Sequence, residues 1–555
     1  MHSLPGDRPT GNRHQTRSVV LGSNGMIATS QPLASAAGLE VLQNGGNAID
    51  AAVTAAAVLG VVEPSMTGVG GDLFALVFDV ATNTLRGLNA SGRSAFSATP
   101  DAFVAHNLTR IPDTGVLSIT VPGAVDGWCE LLAAFGTIPL SDAIAPAIEY
   151  AANGYAVSEI ISGQWRTSEA KLAADPLAAA TFLSGGHAPR PGEIFRNPRL
   201  AATLATIAAE GRGGFYEGRI ARAIAANLRQ RGGLLDERDF AAHRADWVQP
   251  ISTTYREHEI HELPPNTQGF VALEMLNILE GFDVRSMGHN SAEFLHLFVE
   301  AKRIAFADRA AYLADPDDVP APVLAALVSK EYAAERRKEI DRTRAAGEYA
   351  AGATAGVAAG GLTEAKRNHS GLDRGDTVYL TAADRRGNVV SLIQSLFGSF
   401  GSGIVAGETG IVLQNRGSMF TLTPGHPNRI APHKRPAHTL VPAFVMKDGA
   451  PYFSFGVMGG EHQAQGHAQV LVNLIDFGMN VQAAGEAARI HHADDVIEVE
   501  RGVPAAAREE LARKGHRVVD GSGVFGGYQG ILRDSTTGVL MGGSDPRKDG
   551  LAIGY

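Results

Sequence analysis

The chain of 555 residues has one cysteine, Cys129, which excludes an internal disulfide and any paired-cysteine metal or redox site. A lone cysteine beside Trp128 reads as a small buried hydrophobe rather than a nucleophile. There is no basic excess: the net charge is −10, so no positive surface favours nucleic acid. Long apolar runs are missing too. The longest, Ala48 to Val62, contains Asp50 and is too short to cross a bilayer, so no membrane partner is expected. Residues 1–13 hold no apolar stretch of the secretory type. The expected location is the cytoplasm, with residues 1–17 as a disordered arm. No internal repeat is visible.

What is present is a globular composition, 45% hydrophobic and 19% charged, with 65 glycines and 27 prolines spread along the chain as turn signals. Asn47 suits the cap of a helix over Ala48–Leu59 that is apolar almost all round and therefore internal. Gly68-Val69-Gly70-Gly71-Asp72 leads into Leu73–Asp79, a strand apolar enough to be buried on both faces. Glycines before a strand are in the wrong order for a phosphate-cradling loop, which excludes nucleotide binding of that kind. Helical spacing follows over 138–152, 199–209, 217–230, 269–280, 293–313 and 322–340, with a strand at His258–Leu263. Residues 341–376 lack hydrophobic periodicity and read as a linker. Strands are expected at 377–383 and 388–396 around an Asp384–Gly387 turn, then at Ile411–Leu413, Ala443–Lys447, Tyr452–Val457 and within 517–541. Two sheets between helix layers, sharing one core across residue 376, account for this order.

The change of texture at Asp376-Thr377 carries the chemistry. A threonine hydroxyl is a poor nucleophile without a base, and a free α-amine on the same residue is one. Cleavage of the Asp376–Thr377 bond would put nucleophile and base on Thr377. Ser395, on the returning strand, lies within reach of Thr377 across a hairpin. Gly398-Ser399-Phe400-Gly401-Ser402-Gly403 is a flexible loop just beyond it. Gly459-Gly460 follows a strand and precedes a helical stretch, where backbone N–H groups can meet an oxyanion. Taken singly, each of these elements reads as ordinary turn or strand chemistry.

Together the words Asn47-Ala48-Ile49-Asp50-Ala51-Ala52, Gly68–Asp72, Asp308-Arg309-Ala310-Ala311-Tyr312-Leu313, Asp376-Thr377, Gly403–Ile411, Lys434-Arg435-Pro436 and Gly459-Gly460 resemble the γ-glutamyltranspeptidase family of N-terminal nucleophile hydrolases. The resemblance spans about 19 to 555 and implies an α/β (α+β) four-layer αββα sandwich. It also implies a precursor that cuts itself into a large subunit, 18–376, and a small catalytic subunit, 377–555, intertwined as one domain. The implied catalytic residues are Thr377, its hydroxyl partner Ser395, and the oxyanion glycines Gly459 and Gly460. Arg93 matches the arginine that binds the donor α-carboxylate. Implied partners are a small-molecule amide, an amine or dipeptide acceptor, and a second heterodimer.

The acyl pocket departs from the family pattern. Where γ-glutamyl enzymes carry an asparagine, acidic residues and paired serines, this chain has Phe397, Arg416, Met419, His438 and Thr439. An α-ammonium beside Arg416 would be repelled. Two arginines favour an acyl group with carboxylate or oxo oxygens and no amine. One reading is a γ-glutamyl donor held by different contacts. The alternative is an acylase or small-acid amidohydrolase, with glutaryl-type or oxamate-type substrates. Ion pairing of Arg416 with Glu408 or Asp448 would weaken that alternative. A third reading is a non-processing binding protein, against which the presence of Thr377 counts. The late histidines (His426, His433, His438, His462, His467, His491, His492) lack ligand spacing and paired carboxylates, so neither metal nor cofactor is expected. Arg336-Arg337-Lys338, followed by Arg342 and Arg344, reads as solvated helix surface.

Overall fold

The structure, a computed structural model, describes residues 15–353, 376–521, 523 and 525–555. Its frame is a pair of seven-stranded sheets. One runs, edge to edge, Val20–Gly22, Leu540–Ser544, Tyr528–Arg533, Ala450–Val457, Ala443–Lys447, His258–Glu262 and Ile251–Tyr255. The other runs Leu551–Gly554, Gly25–Thr29, Asp376–Asp384, Val389–Phe397, Asp72–Asp79, Thr84–Ala90 and Asp246–Val248. Each sheet takes strands from both sides of residue 376, so the two stretches of chain share one core.

Three hydrophobic clusters fill the spaces between four layers. The first joins helix Ala48–Val62 to the second sheet through Leu73, Ala75, Val77, Leu380 and Leu392. Every residue of that helix is buried, and its start is closed reciprocally. The Asn47 side chain accepts from Ile49 and Asp50 N–H, while Asp50 accepts from Asn47 N–H. The second cluster sets helices Gly269–Leu279, Ala292–Tyr312 and His462–Ile475 against the first sheet through Ile260, Val445 and Phe453. Between the sheets lie Met26, Phe74, Leu76, Tyr379, Ile393, Phe444 and Met458. Strand Asp72–Asp79 is thus apolar on both faces because one meets helices and the other meets a sheet.

Several expectations need correcting. Residues 1–14 lie outside the described residues, but the end of the expected arm is pinned. Thr16 donates twice to Glu486, and Arg17 to Ser544 and Gly550. The helix expected over 322–340 is two, Ala321–Leu327 and Lys330–Arg337, because Ser329 caps the second through Tyr332 N–H. Ile411–Leu413 forms no strand. Its neighbourhood holds a single bridge, Val405 to Val412, inside a loop. Arg336 and Arg337 are not solvated surface: Arg336 donates to Ala350 O, and Arg337 to Asn277 O and Ile278 O. Lys338, Arg342 and Arg344 of that cluster are exposed as expected, with Lys338 pairing with Glu335 and Arg342 with Glu293. Of the expected linker, 354–375 lies outside the described residues. Residues 341–353 carry no helix or strand, yet Gly352 N–H reaches Asp308 and Ala345 N–H reaches Lys514 O.

The relative slide of the sheets is set by polar and steric contacts in the middle layer. Thr381 Oγ1 lies 2.7 Å from Ser454 Oγ, and a Cβ on Gly456 would approach Tyr379 to 2.4 Å. Thr381 opposite Ser454 and Tyr379 opposite Gly456 means the two strands run antiparallel across the gap. Continuing two residues brings Thr377 towards the Met458–Gly459 end. Gly456→Val is expected to overpack this contact and cost about 1–3 kcal/mol. Denaturant unfolding at the parental midpoint would show that the gap has slack.

Candidate active site

Asp376 opens its strand opposite Phe397, yet two residues later Val378 stands opposite Gln394. Ser395 and Leu396 therefore face Thr377 alone, as a β-bulge. The bulge aims the Ser395 hydroxyl at the Asp376–Thr377 bond. Ser395 Oγ donates to the Asp376 carbonyl at 2.6 Å and accepts from Phe397 N–H at 2.7 Å. Thr377 Oγ1 lies 3.5 Å away on the same oxygen. Both hydroxyls are buried. A donor on the carbonyl between 376 and 377 polarises that bond, which is what attack by a neighbouring hydroxyl requires.

Beyond the bulge, Phe397 adopts φ +77° and lies under Arg416, whose guanidinium carbon is 4.0 Å from the ring centroid. Arg416 is buried on a short 3-10 turn, Arg416–Met419, and its Nη1 donates to Thr439 Oγ1 at 3.0 Å. Glu408, one of the alternative partners, instead pairs with Arg199 at 2.7 Å. Met419 is buried in the hydrophobic cluster against which Phe397 packs. His438, the residue before Thr439, faces Asp72 Oδ2 through Nε2 at 3.3 Å, while its Nδ1 accepts from Leu440 N–H at 3.2 Å. Burial, reinforced by the Arg416 cation, holds His438 well below the ordinary histidine range, so its ring is neutral.

Arg93 sits at the fringe. Its Nη2 lies 3.4 Å from Asp246, a carboxylate shared with the buried Arg435. Arg435 also donates to Ser91 O, bracing the Ser91–Gly92–Arg93 turn from behind. The Gly459-Gly460 turn, both residues at positive φ, is held by Gln268, whose Nε2 donates to Gly460 O at 3.0 Å and to Thr439 O at 2.8 Å. Arg309 donates to Gln268 Oε1 at 2.9 Å and pairs with Glu461 at 3.3 Å. One buried amide therefore ties the glycine turn to the loop that braces Arg416.

Thr377, Ser395 and Asp376 thus meet directly, and Phe397, Arg416 and Thr439 meet directly beside them. His438 joins through Asp72, and Arg93 through its neighbour Gly92, whose N–H donates to Asp72 Oδ1 at 2.9 Å. Asp72, Gln268 and Arg309 were not anticipated as site residues. Asp72 and Arg309 lie in recognisable words, but their partners are far away in sequence. The expected flexible loop after Gly398 is tied down, because Lys171 Nζ donates to Ser399 O at 2.5 Å and Gly401 O at 3.3 Å. Burial pushes the Cys129 thiol up to about 12, so it stays protonated and unreactive. A pocket lined by Thr67, Val69, Phe182 and Ile411 lies behind the Gly68–Asp72 turn rather than at Thr377.

The profile described as gamma-glutamyltranspeptidase matches residues 34–555. The chain belongs to the γ-glutamyltranspeptidase family. Within it, the chain is 40% identical to the glutathione hydrolase-like YwrD proenzyme of Bacillus subtilis (strain 168), over 96% of this chain and 99% of that one. It is 38% identical to the acylase ACY 1 proenzyme of Pseudomonas sp. (strain SE83), over 96% of this chain and 94% of that one. Among solved structures, the cephalosporin acylase from Bacillus halodurans superposes with a TM-score of 0.90 at 41% identity, covering 100% of this chain and 99% of that one. The fold is accordingly the αββα sandwich of γ-glutamyltranspeptidase-type N-terminal nucleophile hydrolases, and the chain is an enzyme of that kind. No described helix is long and apolar enough to cross a membrane. Gln268→Leu removes one hydrogen bond to each of two loops, and is expected to lower kcat by roughly tenfold with a smaller change in KM. A parental kcat would show that the Gly459-Gly460 turn holds its place unaided.

Proposed function

We propose that this enzyme is an amidohydrolase whose nucleophile, Thr377, is released by cleavage of its own Asp376–Thr377 bond. In the precursor the Thr377 hydroxyl attacks the Asp376 carbonyl carbon, and Ser395 donates to the carbonyl oxygen as charge develops there. The amide becomes an ester and the Thr377 nitrogen leaves as the free amine. Water then hydrolyses the ester, giving residues 1–376 with a new carboxylate and 377–555 with an N-terminal threonine. In the mature enzyme that amine takes the hydroxyl proton as Thr377 attacks a substrate amide. The substrate amine departs with a proton, leaving an acyl ester on Thr377. Water, or an amine acceptor, then takes the acyl group. Gly459 and Gly460 supply N–H groups to the oxyanion. The short contact of Ser395 on the Asp376 carbonyl supports the first step, and the inter-sheet register supports the second.

Arg416 carries the substrate reading. It is a buried cation braced over Phe397 and by Thr439, next to the bulge that holds Thr377. A permanent positive charge there favours donors bearing a carboxylate and disfavours an α-ammonium. The acyl donor is therefore an amide of a carboxylate-bearing acid without that amine, of glutaryl type, and hydrolysis is favoured over transfer. The acylase name of the Pseudomonas relative agrees with this reading. A γ-glutamyl donor is the second reading, favoured by the glutathione hydrolase-like name of the Bacillus relative.

On a denaturing gel the incubated protein is expected to resolve into two pieces divided at residue 376, while Thr377→Ala remains one chain and inactive. A single band in the parent, or amidase activity in the variant, would place the nucleophile elsewhere. In a panel of γ-glutamyl anilide, glutathione, glutaryl anilide and oxamate, with and without a dipeptide acceptor, the glutaryl anilide is expected to give the highest kcat/KM. Preference for the γ-glutamyl anilide would overturn the role given to Arg416.

A further inference from the structure

We propose that Asp72 is the positioning residue of the acyl pocket, coupling the turn that carries Arg93 to the loop that braces Arg416 and so setting the preference for a carboxylate-bearing donor, a role that presupposes the functional reading above. Asp72 is the first residue of its strand and stands directly opposite Ser395 in the antiparallel register. The backbone before it is pressed against that bulge, since a Cβ on Gly71 would come within 2.4 Å of Ser395 O. Its carboxylate is buried and sits where three chain segments meet. One oxygen accepts Gly92 N–H at 2.9 Å; the other faces His438 Nε2 at 3.3 Å.

The tautomer follows from the other end of the ring. His438 Nδ1 accepts Leu440 N–H, so Nε2 carries the proton and donates to Asp72. Asp72 therefore receives donors on both oxygens from opposite sides. A carboxylate meets that demand and a primary amide does not, because asparagine offers one acceptor oxygen and turns an NH2 towards the other donor. The two tethers lead to the two arginines. Gly92 precedes Arg93, and His438 precedes Thr439, whose hydroxyl accepts from Arg416. Charge reinforces the geometry, since Arg416 is the strongest opposite charge acting on Asp72, with Arg435 behind it. Burial opposes both and raises the Asp72 carboxyl to about 7.

A tie that serves only the fold would affect all substrates alike, whereas Asp72 as described acts on one end of the donor. The deciding measurement compares kcat/KM for a glutaryl anilide and its 4-carbamoylbutyryl counterpart, equal in size but uncharged, in parent and Asp72→Asn. The parent is expected to prefer the glutaryl donor. In D72N that preference is expected to fall by roughly tenfold or more, the scale of a lost charge-assisted hydrogen bond, with the loss mainly in KM. The two-piece gel pattern reports folding and processing. Should D72N not be processed, His438→Asn decides, because asparagine keeps an acceptor for Leu440 N–H but withdraws the donor from Asp72. Parental preference in the processed variant, or equal loss on both donors, overturns the role of Asp72 alone. A parent indifferent to the donor's charge overturns the functional reading, and the role of Asp72 with it.

Discussion

The site depends on how far one sheet has slid over the other. Thr377 and Ser395 belong to one sheet, while Gly459 and Gly460 follow a strand of the other. Backbone hydrogen bonds within either sheet cannot bring them together. The task falls to the thin middle layer, where the Thr381–Ser454 contact and the flat fit of Tyr379 on Gly456 fix the offset. A pleated surface admits shifts only in steps of two residues if its faces are to stay buried. A slip of one step would move the glycine turn about 7 Å along the strand, away from the Thr377 end of the facing strand. Interiors packed at crystal density resist such a slip.

Charge organises the second half of the site. Arg416 and Arg435 are buried, and removing arginine from water is costly unless the group is braced and bonded. Both are: Arg416 by Phe397 and Thr439, Arg435 by Ser91 O, Arg244 O and Asp246. His438, kept neutral by burial beside Arg416, donates to Asp72. The groups around Arg416 are therefore buried and braced, in contrast with an exposed patch whose side chains would need to be ordered by each substrate.

Much of this was legible in the chain. The hairpin Asp376–Phe397 announces itself through apolar runs and an Asp384–Gly387 turn, and Asp384 Oδ1 does accept from Arg386, Gly387 and Asn388 N–H. The buried helix Ala48–Val62 is equally plain, since its composition leaves no polar face to solvate. Other features fail for a common reason. Arg336 and Arg337 look solvated because charge runs usually are, but the carbonyls they satisfy are brought to them by the fold: Arg337 reaches the end of helix Gly269–Leu279, about 60 residues back, and Arg336 reaches Ala350 in the irregular stretch that follows. Ile411–Leu413 has the composition of a strand, yet its backbone is spent inside a loop, with Ile411 N–H bonded to Thr409 and Leu413 N–H to Ile404 O. Asp72 reads as the end of a glycine turn. Its partners lie 20 residues ahead at Gly92 and 366 ahead at His438, separations that no periodicity encodes.

The strand order bears on how such a protein ages. In the second sheet, Leu551–Gly554 pairs with Gly25–Thr29, which pairs in turn with Asp376–Asp384. Ends and middle of the chain are woven edge to edge. A cut before Thr377, as proposed, leaves that weave in place, because it detaches only the first residue of the strand and keeps the pairings from Val378 to Ala383. It does change the route back from the unfolded state. Before the cut, lost strands return by a unimolecular search within one chain. Afterwards the same pairing requires two chains to find each other, and effective concentration gives way to bulk concentration. The native enzyme is then held by the height of its unfolding barrier more than by any ready return, so activation also commits the molecule to a single folding event.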